Sequence, residues 1–332
     1  MGCCSSATVL PFDLQEIFQE QDGLDFVTMD SKNLKQTMIR VDPYIETSVL
    51  SFSGTNRIEP GPLWNYWLGP EVEVIKRNDA DSSAAEVNDK EYLDKLDTRR
   101  KALDRLMAMV LASTAILPRH GGFVVAKAGG GPRIDGNVLA VQTTNETYTK
   151  IRGTGTTGHS IPAAHVAVRF YPSGYKKDPF SWNWKMRTVF TIPDELGGEN
   201  RIAEDYALNS LRPKTQVGKN LLSRFMACDF SPIKKRFMKN TPFIYVGLVS
   251  VTPEAQGQGL CSRLMRGINA VADKLGWACY LETGSKRLEG LYERYGYKTV
   301  HTETFSAKCD SGTDWPDATV IFMIRPATAV GE

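Results

Sequence analysis

From Leu260 an apolar residue returns every three or four positions, at Leu264, Ile268, Val271 and Leu275, which is one stripe of a helix. Gly276 stands just past it, where a C-terminal cap belongs. Immediately upstream, FIYVGLVSV (Phe243 to Val251) is an unbroken apolar run and reads as a buried strand. Between the two lies TPEAQGQG, so the chain leaves a strand, passes two glycines and enters a helix at once. Further on, WACYLET predicts another strand, LEGLYERYG a short helix ending at Gly296, and ATVIFMIRP a final strand behind a turn-rich hairpin.

The pattern is weaker upstream. Phe12 to Phe18 reads as a short helix, and residues 40–90 mix Trp64, Tyr66 and Trp67 with Pro and Gly before the polar loop NDADSSAAEVNDK. EYLDKLDTRRKALDRLMAMVLASTAI is a strongly amphipathic helix. Tyr92, Leu93, Leu96, Leu103, Leu106, Met107, Val110 and Leu111 share one face, and Pro118 and Gly121-Gly122 stop it. Phe123–Ala126 and Val138–Val141 read as strands of one hairpin across Gly129-Gly130-Gly131. Residues 145–165, rich in Thr, Gly and Ser, predict a surface excursion; AHVAVRFYP predicts a strand; 200–238 predicts helix with a break near Pro213. Strands and helices interleave without regular alternation, so the expected class is mixed α/β or α+β.

Composition narrows the function. Forty basic and thirty-eight acidic residues leave a net charge of +2, no electrostatic footprint for nucleic acid. No run approaches the roughly 18 apolar residues of a membrane helix. Cys3, Cys4, Cys228, Cys261, Cys279 and Cys309 show no metal-binding spacing, so no metal is expected, and without a secretory h-region the expected setting is reducing and cytoplasmic. The chain starts MGCCSS. Gly2 and Ser6 fit the myristoylation pattern, and Cys3 and Cys4 could take palmitate; two acyl chains would hold the protein at a membrane where one would not. A plain tail with two thiols remains the other reading of residues 1–10.

A strand–glycine turn–helix unit is suited to an anion. The first helical N–H groups lack partners, the helix dipole is positive there, and glycines let the backbone approach closely. A P-loop would need Lys-Ser or Lys-Thr after Gly259, which is missing. A dinucleotide fold is not excluded by Gly257, Gly259, Ser262 and Glu282, but the unit lies too near the C-terminus to leave room for a second mononucleotide half. A third scheme is carried by QGQGLC, Gln256 to Cys261, together with YLETGSKRLEGLYERYGYKTV. These segments resemble the pyrophosphate loop and the following strand and helix of the GNAT superfamily of acetyl-CoA-dependent N-acetyltransferases. The ending is most like the puromycin N-acetyltransferase-like branch. Close similarity covers about Phe243 to Val300; Cys261 stands where that loop has Gly or Ala, and Leu288 where relatives often have Asn, with Ser285 available as a substitute helix cap.

The resemblance implies a GNAT fold: a mixed, mostly antiparallel sheet with flanking helices and a splayed strand pair that binds CoA. It implies one domain over 11–330, enlarged by N-terminal and mid-chain (145–200) segments, with a CoA-binding core at 240–300. Val249 and Val251 would offer backbone groups to the pantetheine arm. The backbone amides of Gln256, Gly257, Gln258, Gly259, Leu260 and Cys261 would hold the pyrophosphate, and the Gln256 and Gln258 side chains would add neutral hydrogen bonds. Tyr292 matches the phenol that protonates the departing thiolate, and Tyr295 and Tyr297 read as structural. Glu282 is the candidate base, because strand alternation sets it with Tyr280 on one face. The implied activity is direct acetyl transfer from acetyl-CoA to a primary amine. The branch points to a small-molecule acceptor, with Trp182 and Trp184 as candidate lining. The competing class is a non-catalytic acyl-CoA-binding regulator tethered to a membrane. Oligomeric state is not legible.

Overall fold

The computed structural model describes residues 14–19, 24–27, 34–52, 62–69, 99, 102–103, 106–107, 110–111, 121–126, 137–138, 161–175, 220, 223–225, 227–306 and 317–328. In chain order the elements are α1 (Leu14–Gln19), β1 (Leu24–Val27), α2 (Leu34–Phe52), α3 (Pro62–Leu68), β2 (Gly121–Ala126), β3 (Asn137–Val138), β4 (Ile161–Pro162) and β5 (Ala164–Tyr171). There follow α4 (Ser231–Met238), β6 (Phe243–Val251), α5 (Leu260–Leu275), β7 (Ala278–Thr283), α6 (Lys286–Glu293), β8 (Lys298–Phe305) and β9 (Ala318–Arg325). The described residues between 99 and 111 are helical.

Seven strands form one sheet in the order β1-β2-β5-β6-β7-β9-β8. Every neighbouring pair is antiparallel except β6 with β7. That pair is parallel because α5 carries the chain back across the sheet between them, as parallel strands require. The class is the mixed, mostly antiparallel α/β architecture expected from the sequence.

Each face of the sheet has its own core. One buries Ile45, Val49, Leu63, Trp67, Leu103, Leu106, Met107 and Leu111 from the helices before β2, together with Met238 of α4. The other buries Phe18 of α1, Leu264, Met265, Ile268, Val271 and Ala272 of α5, and Tyr292 of α6. Strand alternation feeds both: Ala278 and Tyr280 of β7 enter the first, Cys279 and Leu281 the second. Fully burying a Leu or Ile side chain contributes roughly 1.5–3 kcal/mol, so the α5 stripe alone fixes that helix firmly on the sheet. Gly276, at φ +65°, closes α5 by donating its N–H to Ala272 and Asp273, as its position predicts.

Three sequence expectations are corrected. Phe123–Ala126 and the following strand do not form a hairpin: β2 pairs with β1 and β5, and β3 pairs with β4 in a separate two-stranded sheet. The triple-glycine turn suggested adjacency, but the partners of β2 come from β1 and β5. Residues 162–165, expected in a surface excursion, are buried at the start of β5, because α2 covers them. α2 itself runs 19 residues where helix was not expected, with Pro43 inside it. Its hydroxyls dock it: Thr47 Oγ1 donates to Pro162 O at 2.8 Å, and Ser48 Oγ pairs with Ser250 Oγ at 2.9 Å.

Candidate functional site

The sheet opens at its middle. β6 and β7 pair from Phe243/Ala278 to Val246/Leu281 and no further, although β6 runs on to Val251 and β7 to Thr283. The cause lies in β6. Against β5, Val246 faces Val168 and Leu248 faces Ala167, so Gly247 is an extra residue, a bulge that bends the strand away. Beyond the bulge, the Thr252 N–H donates to Ala163 O at 2.9 Å. Antiparallel bonding alternates, so Ser250 and Thr252 turn their backbone groups toward β5, while Val249 and Val251 turn theirs toward the opening. At Val251 the carbonyl is met from inside the protein, by Ser51 Oγ at 2.7 Å and Gln256 Nε2 at 3.5 Å.

At the end of β6 a 3-10 turn, Pro253–Ala255, leads into the glycines. Gly257 and Gly259 hold φ +78° and +79°, a region that favours glycine, and a Cβ on either would meet nothing within 4 Å. Gly259 is the N-cap of α5 and gives no side-chain cap; the first intrahelical bond is from the Arg263 N–H to Gly259 O at 3.0 Å. The N–H groups of Leu260, Cys261 and Ser262 therefore have no acceptor within the helix, and the positive end of its dipole faces exposed Gly257, Gln258 and Gly259. α6 differs: Ser285 Oγ accepts the Leu288 N–H, the substitute cap that the sequence suggested. The start of α5 is braced by Tyr295, whose Oη donates to Ser262 Oγ at 2.5 Å. Asn269 Nδ2 holds Tyr295 O at 3.0 Å, and its Oδ1 accepts from Tyr297 at 3.2 Å, so both tyrosines have structural work.

Tyr292 lies on the α5 face of the sheet, 7% exposed, in the cluster that includes Val249, Val251, Leu260 and Cys261. Burial first, then Cys261 and Tyr295 beside it, raises its pKa, so the phenol keeps its proton at neutral pH. Glu282 lies on the other face. It is one residue past the last β6–β7 pair, on the same side of β7 as Tyr280. Its side chain is 5% exposed and its Oε1 is 3.3 Å from Lys234 Nζ of α4. The two candidates thus flank the opening from opposite faces.

Cys261 and Cys279 are poor nucleophiles. Burial raises both, Cys279 to about 12, so neither is a thiolate at neutral pH. Among the described residues, no cluster of His, Cys, Asp and Glu is fit to hold a metal, and no helix is long and apolar enough to cross a membrane. Gly2, Cys3, Cys4, Trp182 and Trp184 lie outside the described residues.

Sequence reasoning missed two groups. Lys234 is one; its only signal is a lysine in register with Phe230 and Met238 on the apolar stripe of a short helix. The other is the buried set Ser48, Ser250 and His165, with Ser48 Oγ 3.4 Å from His165 Nε2, which gives no local signal because three distant segments build it.

Residues 217–299 match the acetyltransferase (GNAT) domain family. The match takes in α4, β6, α5, β7 and α6 and ends at the start of β8. No curated protein matches the chain. Among solved structures, the chain is similar to a Corynebacterium glutamicum protein described as histone acetyltransferase HPA2 and related acetyltransferase. The identity is 16% over 88% of this chain and 94% of that one, with a TM-score of 0.36. A Drosophila melanogaster polyamine N-acetyltransferase is similar at 15% identity over 91% and 98%, with a TM-score of 0.35. An agmatine N-acetyltransferase variant is similar at 14% over 91% and 99%, with a TM-score of 0.37. Residues 217–299 are what matches a GNAT acetyltransferase domain, a family whose chemistry is acyl transfer.

Proposed function

We propose that the protein transfers an acetyl group from acetyl-CoA to a primary amine of a small molecule, directly, within a ternary complex. The observation that carries this reading is the opening between β6 and β7, which ends at the uncapped start of α5. Unpaired amides and two glycines with open space above them suit a pyrophosphate. The backbone of Val249 and Val251, turned into the opening, suits the amides of a pantetheine arm. Gln256, Gly257, Gln258, Gly259, Leu260 and Cys261 would hold the diphosphate.

Acetyl-CoA supplies an activated thioester carbonyl. The chain would supply the proton handling. Glu282 takes a proton from the acceptor ammonium, and Tyr292, buried and protonated, gives one to the leaving sulfur. The raised thiols of Cys261 and Cys279 favour direct transfer over an acyl-enzyme. The likeness of LET and LYERYGY to the puromycin N-acetyltransferase-like branch favours a small amine. The same reading takes 11–330 as one domain around the 240–300 core, preceded by an acylated tail at Gly2, Cys3 and Cys4.

The test is thiol release from acetyl-CoA across a panel of small amines, aminonucleosides and peptides. Release with a small amine, lost in Tyr292→Phe, is the expected result. CoA binding without release from any acceptor would overturn catalysis and favour the tethered regulator. The mass of the N-terminal peptide from the native host tests the anchor; an unmodified Gly2 removes it.

A further inference from the structure

Lys234 sits where a lysine is costly. Its side chain is 9% exposed, on a helix face packed into the core with Met238. Three tyrosine rings surround its ammonium: Tyr245 at 3.9 Å, Tyr280 at 5.4 Å and Tyr175 at 5.7 Å from Nζ to centroid. Such rings attract a cation, but they solvate neither member of an ion pair as water does. The Glu282 carboxylate closes the cage at 3.3 Å. Among the described residues, the charged or titratable groups about this cluster are Arg169 of β5, over the Tyr245 ring at 5.6 Å, the phenols of Tyr171, Tyr175, Tyr245 and Tyr280, and, farther out, His301 of β8, which packs on Phe237 of α4 and on Phe322. Burial and then the Glu282 charge push the Tyr245 and Tyr280 phenols up, so they remain neutral donors. On β9 the residue opposite Glu282 is Phe322, which brings no charge.

Leaving one member of a buried ion pair without its partner is strongly disfavoured. A carboxyl stripped of its counter-ion among aromatic rings would take up a proton and could no longer accept one from an acceptor ammonium. We propose that Lys234 is a positioning residue for the transfer, the fixed counter-charge that holds the Glu282 carboxylate at the opening between β6 and β7. This rests on the reading of Glu282 as the base. Lys234 touches neither the thioester nor the departing sulfur; it acts through Glu282. The aromatic cage supplies the geometry, since an ammonium held over Tyr245 is fixed at the distance that Glu282 needs.

The experiment uses the full chain in five forms: wild type, Lys234→Met, Lys234→Arg, Glu282→Gln and the Lys234→Met/Glu282→Gln double variant. Each is followed by kcat/KM against pH with an amine from the panel, and by thermal unfolding at pH 5 and pH 8. With Lys234→Met the acid limb of the profile should move up by about one pH unit or more, which is about a tenfold loss at pH values on the limb that disappears on the plateau above it. Lys234→Arg, keeping the charge, should leave the limb in place. A merely structural lysine would lower activity equally at every pH, and that result overturns the proposal. If Glu282→Gln turns over as fast as wild type, Glu282 is not the base, and the reading of the site falls together with this inference. Unfolding gives a readout without activity. Lys234→Met should cost more stability at pH 8 than at pH 5, and the cost should shrink in the Lys234→Met/Glu282→Gln double variant. An equal cost at both pH values and in both backgrounds overturns the proposal. If Lys234→Met alone fails to fold, folding of the double variant supports the stranded carboxylate; failure of both, with a displaced acid limb in Lys234→Arg, counts against it.

Discussion

Gly259→Ala separates what the glycine turn does for the fold from what it does for a ligand. At φ +79° an alanine is strained by roughly 1–2 kcal/mol. The new methyl meets nothing within 4 Å, so strain is the whole cost to the free protein, a loss of a few degrees in Tm. Strain carried equally by free and bound forms leaves affinity alone. If the loop instead relaxes when empty, rebuilding it on binding costs at most the same 1–2 kcal/mol, which caps the loss of affinity at roughly 5- to 30-fold. Any larger loss must come from the methyl filling open space that a bound ligand needs. With a pyrophosphate packed on the amides of Leu260, Cys261 and Ser262, the loss of CoA affinity should exceed about 100-fold, well past what strain can supply. Calorimetric titration of CoA into the wild type, Gly259→Ala and Gly290→Ala, with Tm for each, decides it. Gly290 lies within α6 with open space around it, so alanine there should leave affinity unchanged and add about 1 kcal/mol of helix propensity. If Gly259→Ala loses Tm but binds CoA within the strain limit, the turn is only a turn, and the cradle reading is wrong.

Tyr292→Phe should lower kcat by about 100-fold while CoA affinity holds, because the phenol serves only the leaving sulfur; steady-state kinetics beside calorimetry would show it, and unchanged kcat would remove Tyr292 from the chemistry. Cys261→Ala and Cys279→Ala should both keep turnover, and burst kinetics or a trapped acetyl-enzyme would refute direct transfer. Complete burial lowers the pKa of His165 from 6.5 to about 3, so between those values the unfolded chain binds a proton that the native one does not. The contribution of His165 is therefore full above pH 6.5 and lost progressively below it, by about 2 kcal/mol at pH 5. Denaturant unfolding at pH 7 and pH 5 tests this, and His165→Leu should flatten the difference.

How much of this was legible in the chain depended on distance along it. The turn, α5 and its Gly276 cap, β7 and α6 are local, and short-range signals such as period, cap and glycine reported them faithfully. α2 is equally local but was hidden by Pro43, which argues against helix in any short window; the hydroxyls of Thr47, Ser48 and Ser51 that bond it to Pro162, Ser250 and Val251 supply the opposing tertiary reason. β2 failed for the opposite cause. Its own residues read as strand, but pairing is not local, and a glycine-rich turn after it said nothing about β1 and β5.

The candidate site divides in the same way, and the division has a physical consequence. FIYVGLVSV looks like an uninterrupted buried strand, and only Gly247 hints that it bends. Yet the bulge at that glycine changes which residues of β6 share a side, and Val249 and Val251 present backbone to the opening because of it. Had β6 stayed regular, the pairing with β7 could have continued past Leu281, and no gap would separate Glu282 on one face from Tyr292 on the other. The candidate residues Glu282 and Tyr292 could be named from short motifs because they lie on the elements beside the gap. What makes the gap, and what pairs with Glu282 beside it, comes from β5 and α4. Substitutions at Gly247 or Lys234 should therefore reach the reaction through the geometry and charge of neighbours that the motifs alone do not contain.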